Sequence, residues 1–203
     1  MAVHGKEPES LVQGEDWVGR DISREIHSSV AFVDVDMTDA VDEGATFTDC
    51  TFRDVRFNAS AHANAAFVNC TFQRCSFFEA SFVGCKFVGS RFERCTFALL
   101  HVSGGDWSFV GLAGADLRRA DFTDVRMREV DLTGVRGEGT TLRQVELVGA
   151  WLDGANFAGA DLRGSDLTTI DPTVVRLRGA VILWDQAVQL AGAMGLDVRA
   201  PSD

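Results

Sequence analysis

Asp42 and His62 stand four pentads apart, and a carboxylate beside an imidazole is the minimum equipment for general acid–base chemistry. No nucleophile or convergent third group accompanies them in the sequence. The pentads around them, VDEGA and SAHAN, read as relaxed versions of a local pattern, so the pair reads as a structural irregularity and the chain as a non-enzyme. The five cysteines, Cys50, Cys70, Cys75, Cys85 and Cys95, raise metal binding or disulfides. They form no CxxC and have no histidine at ligand spacing, so they read as small apolar fillers of a reduced interior, with no metal or cofactor expected. The aspartates superficially imitate calcium loops, yet each is followed by a large apolar residue, which builds no cation cage. What remains is charge. With 30 acidic against 19 basic residues the formal net charge is −11, which repels nucleic acid and membrane phosphates and attracts basic protein grooves. No apolar run approaches the ~18–20 residues of a membrane span and the N-terminus lacks an apolar signal core, so a cytoplasmic location is expected.

The frame that must position these groups is a hydrophobic beat of five. From Ile22 to Ile182, residue numbers ending in 2 or 7 define 33 positions, and 28 of them hold Phe, Leu, Ile, Val, Met or Trp. Thirteen of the 15 Phe fall on it. Five matches neither helical nor strand periodicity, so it signals a repeat architecture. The position two before the beat is small, and every cysteine sits there. The position one before it is often Asp, Asn, Ser or Thr, which can hydrogen-bond nearby backbone at turns. The two after it face solvent. The phase never slips, which argues against an inserted loop.

Written out, the chain reads ADLRR, ADFTD, VDLTG, ANFAG, ADLRG, SDLTT. This resembles the pentapeptide-repeat family, with its motif A(D/N)LXX, over about residues 20–182. The resemblance implies an all-β, right-handed quadrilateral parallel β-helix of about 8 coils, with one pentad per side and four pentads per coil. Residues four pentads apart then become vertical neighbours, Asp42 and His62 among them. The expected division is a disordered tail over 1–16, the β-helix over 17–182, and a capping or dimerisation helix with a tail over 183–203. In LWDQAVQLAGAMGL, Leu183, Ala187, Leu190 and Met194 recur at helical spacing, with Asp185 as N-cap and Gly195 as stop. Trp184, Val188, Ala191 and Met194 are the residues that would serve dimerisation, a role compatible with capping. Gly137 leaves a core position without a side chain, where a bulge or kink is expected, and Pro172 marks the end of regular stacking.

Charge is uneven. Residues 1–54 hold 13 acids and 4 bases (−9), residues 55–104 hold 2 and 5 (+3), and residues 105–203 hold 15 and 10 (−5). The stretch AHANAAFVNCTF, the gap-free repeats and the closing DQAVQLAGAMGL are similar to the fluoroquinolone-resistance pentapeptide proteins, of the loopless MfpA type rather than the looped Qnr type. That resemblance implies a rod-shaped homodimer joined through the C-terminal helix. It also implies a DNA-mimicking surface that binds DNA gyrase, a type II topoisomerase, and modulates it or protects it from fluoroquinolones or related poisons. The acids expected to carry binding are Asp34, Asp39, Glu43, Asp49, Asp54, Asp124, Glu129, Glu138 and Asp153. The alternatives are a solvated acidic face with no such role, or a repeat scaffold that binds some other protein.

Overall fold

A computed structural model describes residues 8–199. Every fifth residue turns inward as the beat requires, and the chain winds into a right-handed parallel β-solenoid. One side is a five-stranded sheet of Ser10–Gln13, Val30–Val33, Thr51–Arg53, Thr71–Gln73 and Arg91–Glu93. The opposite side is a six-stranded sheet running from Val41–Glu43 to Thr141–Arg143. A third side carries Ile26–Ser28, Thr46–Thr48 and Ala66–Val68, and the fourth is held by single bridges such as Asp36↔Arg56 and Arg56↔Ser76. Pairing climbs by four pentads at every step. The ladder Leu11, Ala31, Thr51, Thr71, Arg91, Gly111, Asp131, Trp151 has eight rungs and seven steps, which at the strand spacing of ~4.8 Å spans about 34 Å.

The core follows the same arithmetic. Phe32, Phe52, Phe72 and Phe92 stack with ring centroids 4.9, 4.8 and 4.7 Å apart. Phe47, Phe67 and Phe87 form a second column at 4.8 and 4.7 Å. Each buried ring contributes ~1.5–3 kcal/mol by desolvation, and successive columns meet edge-on, as in the Phe52–Phe57 pair, an arrangement suited to the ring quadrupole. The cysteines occupy the small inward position and their thiols donate to backbone carbonyls, Cys70 to Phe47 and Cys75 to Phe52, both at 3.4 Å. Burial pushes the Cys85 thiol up to about 11.

The corner of each pentad lies two residues after the beat, where the backbone takes left-handed φ. Glycine fills many corners, but Asp, Asn, Arg, Leu99 (φ 60°) and Phe109 (φ 61°) do so too. The aspartates one before the beat stabilise the turns. Asp16, Asp36, Asp131 and Asp166 each accept the N–H two residues on, at 2.9–3.0 Å.

Four expectations need correction. The first coil begins before residue 17, because Ser10–Gln13 pairs in parallel with Val30–Val33 and Trp17 is buried; backbone pairing and an indole on the beat recruit this segment. Residues 1–7 lie outside the described chain. Gly137 makes no empty slot. The Phe157 ring from the next coil fills it, so closely that a Cβ on Gly137 would meet Phe157 Cδ1 at 2.6 Å. Pro172 does not end the stacking, since Asn156↔Arg176 and Asp161↔Val181 continue it. Finally, the closing helix, Trp184–Ala193, has Leu183 as its N-cap and Asp185 in its first turn. Gln186 does the capping chemistry. Its Oε1 accepts the Leu183 N–H at 2.7 Å, while its Nε2 donates to the Leu162 and Ser165 carbonyls at 2.8 and 2.7 Å. Gly195, at φ 80°, follows the helix as the expected stop. No helix among the described residues is long and apolar enough to cross a membrane.

Candidate partner-binding surface

Among the described residues, the constellation with the equipment for acid–base chemistry lies inside the solenoid. Asp42 pairs with His62 across the six-stranded sheet, and Asp42 Oδ2 lies 3.0 Å from His62 Nδ1. A third group that the sequence reading missed completes the line. Ser60 Oγ is 3.0 Å from His62 Nε2 and donates to the Phe57 carbonyl at 2.7 Å. Its signal was available, because Ser60 holds the small inward position of the pentad that carries His62. This Asp–His–Ser order matches a hydrolase relay in connectivity, but both the Asp42 and His62 side chains are 0% exposed and Ser60 is fully buried. His62 stacks flat on Phe82 at 4.7 Å, and Asp42 Oδ1 accepts the Ala45 N–H at 2.7 Å. All three groups are closed off from solvent, and the triplet links three side chains within the core.

The surface acids divide by position. Asp34, Asp39, Asp49, Asp54, Asp124 and Glu129 are corner residues, with φ between 50° and 60°. Asp is among the residue types that visit that conformation more readily than most. Glu43, Glu138 and Asp153 lie on the flat sides, one residue after the beat. The structure gives two of the nine strong partners. Arg74 grips Asp54 with two bonds of 2.7 and 2.6 Å, which lowers the Asp54 pKa. Glu138 accepts from Asn156 Nδ2 at 2.7 Å, while its other oxygen is buried without a partner. Among the described residues the carboxylates of Asp34, Asp39, Glu43, Asp49, Asp124, Glu129 and Asp153 have no hydrogen-bond or ion-pair partner.

The nine acids do not form one stripe. The four-pentad register places Asp34 and Asp54 one coil apart on one edge, Asp39 on the next, Asp49 and Glu129 on a third, and Asp124 on the fourth. Sequence reasoning also missed a neutralising ladder. Asp36 pairs with Arg56, Asp106 with Arg126 and Asp116 with Arg136 across adjacent coils, at 2.8, 3.2 and 3.1 Å. Asp161 is held by Arg163 at 2.6 Å. The Arg56 guanidinium, opposed by burial and helped by the Thr38 hydroxyl and N–H, draws the Asp36 pKa down to about 2. Much of the acid in the C-terminal half is therefore matched internally. The N-terminal coils keep most of theirs, because only three bases, Arg20, Arg24 and Arg53, lie between residues 9 and 54.

At the other end, the helix presents Trp184 (83% exposed), Val188 and Met194 to solvent. Ala191 is half-buried, and Leu190 packs against the core. Three of the four residues expected to serve dimerisation thus lie on an open apolar face.

Family models match the two halves separately. Residues 109–136 and 138–168 match the pentapeptide repeats (8 copies), and residues 20–97 match the SV2A/B/C luminal domain. Among solved structures, HetL, a pentapeptide repeat protein involved in heterocyst differentiation regulation from the cyanobacterium Nostoc sp. strain PCC 7120, is similar at 16% identity and a TM-score of 0.54, covering 87% of each chain. Full-length QnrB1, a plasmid-mediated fluoroquinolone resistance protein, is similar at 19% identity and a TM-score of 0.54, covering 92% of this chain and all of that one. No curated protein matches the sequence. The five-residue period, the four-sided ladder and these matches agree: pentapeptide repeats are matched over residues 109–136 and 138–168, and the described chain has the β-solenoid fold of the solved pentapeptide-repeat proteins.

Proposed function

We propose that this protein is a DNA-mimicking, non-catalytic binder of DNA gyrase that modulates the topoisomerase or protects it against fluoroquinolones or related poisons. The observation that carries the reading is the set of unpartnered carboxylates, Asp34, Asp39, Glu43 and Asp49, standing out from the N-terminal coils of a stiff rod. Duplex DNA carries one charge per ~1.7 Å of axis. The net charge of −11 over a rod of about 40 Å, the ladder of about 34 Å plus the coil that continues to Val181, gives one per ~3.6 Å, a dilute imitation with the right sign and stiffness. A basic groove built for DNA is drawn to such a surface by electrostatic steering. Asp54 contributes less, since Arg74 occupies it, and Glu138 less again. Asp124, Glu129 and Asp153 form a secondary acidic region. Two subunits join through Trp184, Val188 and Met194, with Ala191 at the margin of the contact, which lengthens the rod.

The test is a gyrase supercoiling assay with and without a fluoroquinolone, titrated with this protein. The variant Asp34→Asn/Asp39→Asn/Glu43→Gln/Asp49→Asn is expected to weaken the effect at least ~10-fold at low salt while its circular dichroism stays unchanged. Equal potency of variant and parent would remove the electrostatic part of the proposal. No effect of the parent on gyrase would favour a scaffold for another protein.

A further inference from the structure

Asp131 breaks the neutralising ladder. Where Asp36, Asp106 and Asp116 have an arginine as bridge partner on the following coil, Asp131 is bridged to Gly111 on one side and Trp151 on the other. Among the described residues its side chain receives only the Thr133 N–H, at 3.0 Å. Trp151 is 61% exposed and is flanked by corner glycines, Gly149 and Gly154, so no corner side chain overhangs the indole from its own coil. Asp153 follows on the same outward side. Glu129 stands on the preceding coil, with its Cγ over Gly149. Neither of these carboxylates has a side-chain partner among the described residues.

The molecule already shows what such a set can hold. At its N-terminal end the Arg20 guanidinium carbon sits 4.1 Å from the centroid of the Trp17 ring, and Arg20 is paired with Glu25 at 2.8 Å. There an indole face and a carboxylate share one arginine. At Trp151 the indole and the carboxylates are present, and no arginine among the described residues pairs with them. We propose that Trp151, Asp131, Asp153 and Glu129 form a docking site for an arginine side chain presented by a partner protein. The planar guanidinium stacks on the indole while its N–H groups reach the carboxylates. Lysine, a compact and strongly hydrated point charge, fits the same place less well. This inference stands apart from the topoisomerase reading, whose main acids lie on the N-terminal coils and in which Glu129 and Asp153 are only secondary.

The experiment uses the full chain labelled with 5-fluorotryptophan, whose four indole resonances are assigned by single Trp→Phe substitutions. Acetyl-Gly-Arg-Gly-amide is titrated in, with the Lys and Gln tripeptides as comparisons. The Trp151 resonance is expected to shift saturably and more than that of Trp184, with the Arg peptide binding roughly two- to fivefold tighter than the Lys peptide. In the variant Asp131→Asn/Asp153→Asn the binding should weaken at least about threefold, the fold being verified by unchanged Trp17 and Trp107 resonances. Three results would overturn the proposal: no selective shift at Trp151, an equal shift with the Gln peptide, or indifference to Asp131→Asn/Asp153→Asn. Broadening of the Trp151 signal that grows with protein concentration before any peptide is added would assign the site to a second copy of the chain and likewise overturn it.

Discussion

Replacing both members of the buried Asp42–His62 pair should do far less harm than replacing either one. His62→Phe keeps the flat stack on Phe82 and the volume of the column, yet strips Asp42 Oδ2 of its one hydrogen-bond partner among the described residues, in a fully buried place. Breaking a buried pair from one side costs ~3–5 kcal/mol. In the double variant Asp42→Leu/His62→Phe the column runs through Ile22, then leucine, then phenylalanine, to Phe82 and Val102. Substitution of a buried ionic pair by apolar groups is commonly neutral or stabilising by ~1–4 kcal/mol. Against that, the Ala45 N–H loses Asp42 Oδ1, a loss of ~1–3 kcal/mol. The Ser60 hydroxyl keeps the Phe57 carbonyl. The two terms nearly cancel, so the double variant should lie within ~2 kcal/mol of the parent, with a favourable coupling of at least about 2 kcal/mol in the double-mutant cycle. Urea denaturation at pH 7, followed by tryptophan emission with the m-values compared, measures all four proteins. A His62→Phe loss below about 1 kcal/mol, or a double variant as unstable as the sum of its singles, would refute the argument that the pair is held by mutual satisfaction.

Gly137→Ala should destabilise by ~1–3 kcal/mol through collision with Phe157, and Phe157→Leu in the same chain should restore part of it; thermal unfolding reports both. At the corner occupied by Phe109, Phe109→Gly should stabilise by ~0.5–1 kcal/mol in spite of the lost side chain, because the left-handed strain outweighs the extra chain entropy; a lower melting temperature would contradict this. The Asp36 carboxyl is held by Arg56 at about 2, below its value in the unfolded chain. Its contribution is therefore present above about pH 4 and is lost as the pH falls through about 2. Denaturation midpoints between pH 5 and 2 should fall less steeply in Arg56→Gln than in the parent, and parallel curves would contradict the pairing.

The fold was legible because one period dictates everything that points inward. The beat runs on through Trp17 to Val12, which lies in the segment expected to be disordered. What escaped were interactions between coils that no single pentad displays. Phe157 fills the space beside Gly137 from four pentads further along the chain. Ser60 joins Asp42 and His62 only once the register closes. The corner conformation was hidden because Arg, Leu and Phe share it with glycine, so residue type alone did not mark it. Among the candidate binding acids, the outward direction could be read directly. Which of them an arginine neutralises could not, because that depends on side-chain reach across a step of the ladder.

Each circuit of this solenoid ends where it began, displaced along the axis by one strand spacing and four pentads later in sequence. Excising or duplicating any four consecutive pentads leaves every surviving side chain on its own face and every corner at its own angle. Rod length is therefore adjustable in quanta of about 4.8 Å, like a ruler cut at its graduations. The separation between the acidic start of the rod and the apolar helix at its end can drift over evolutionary time without redesign of either.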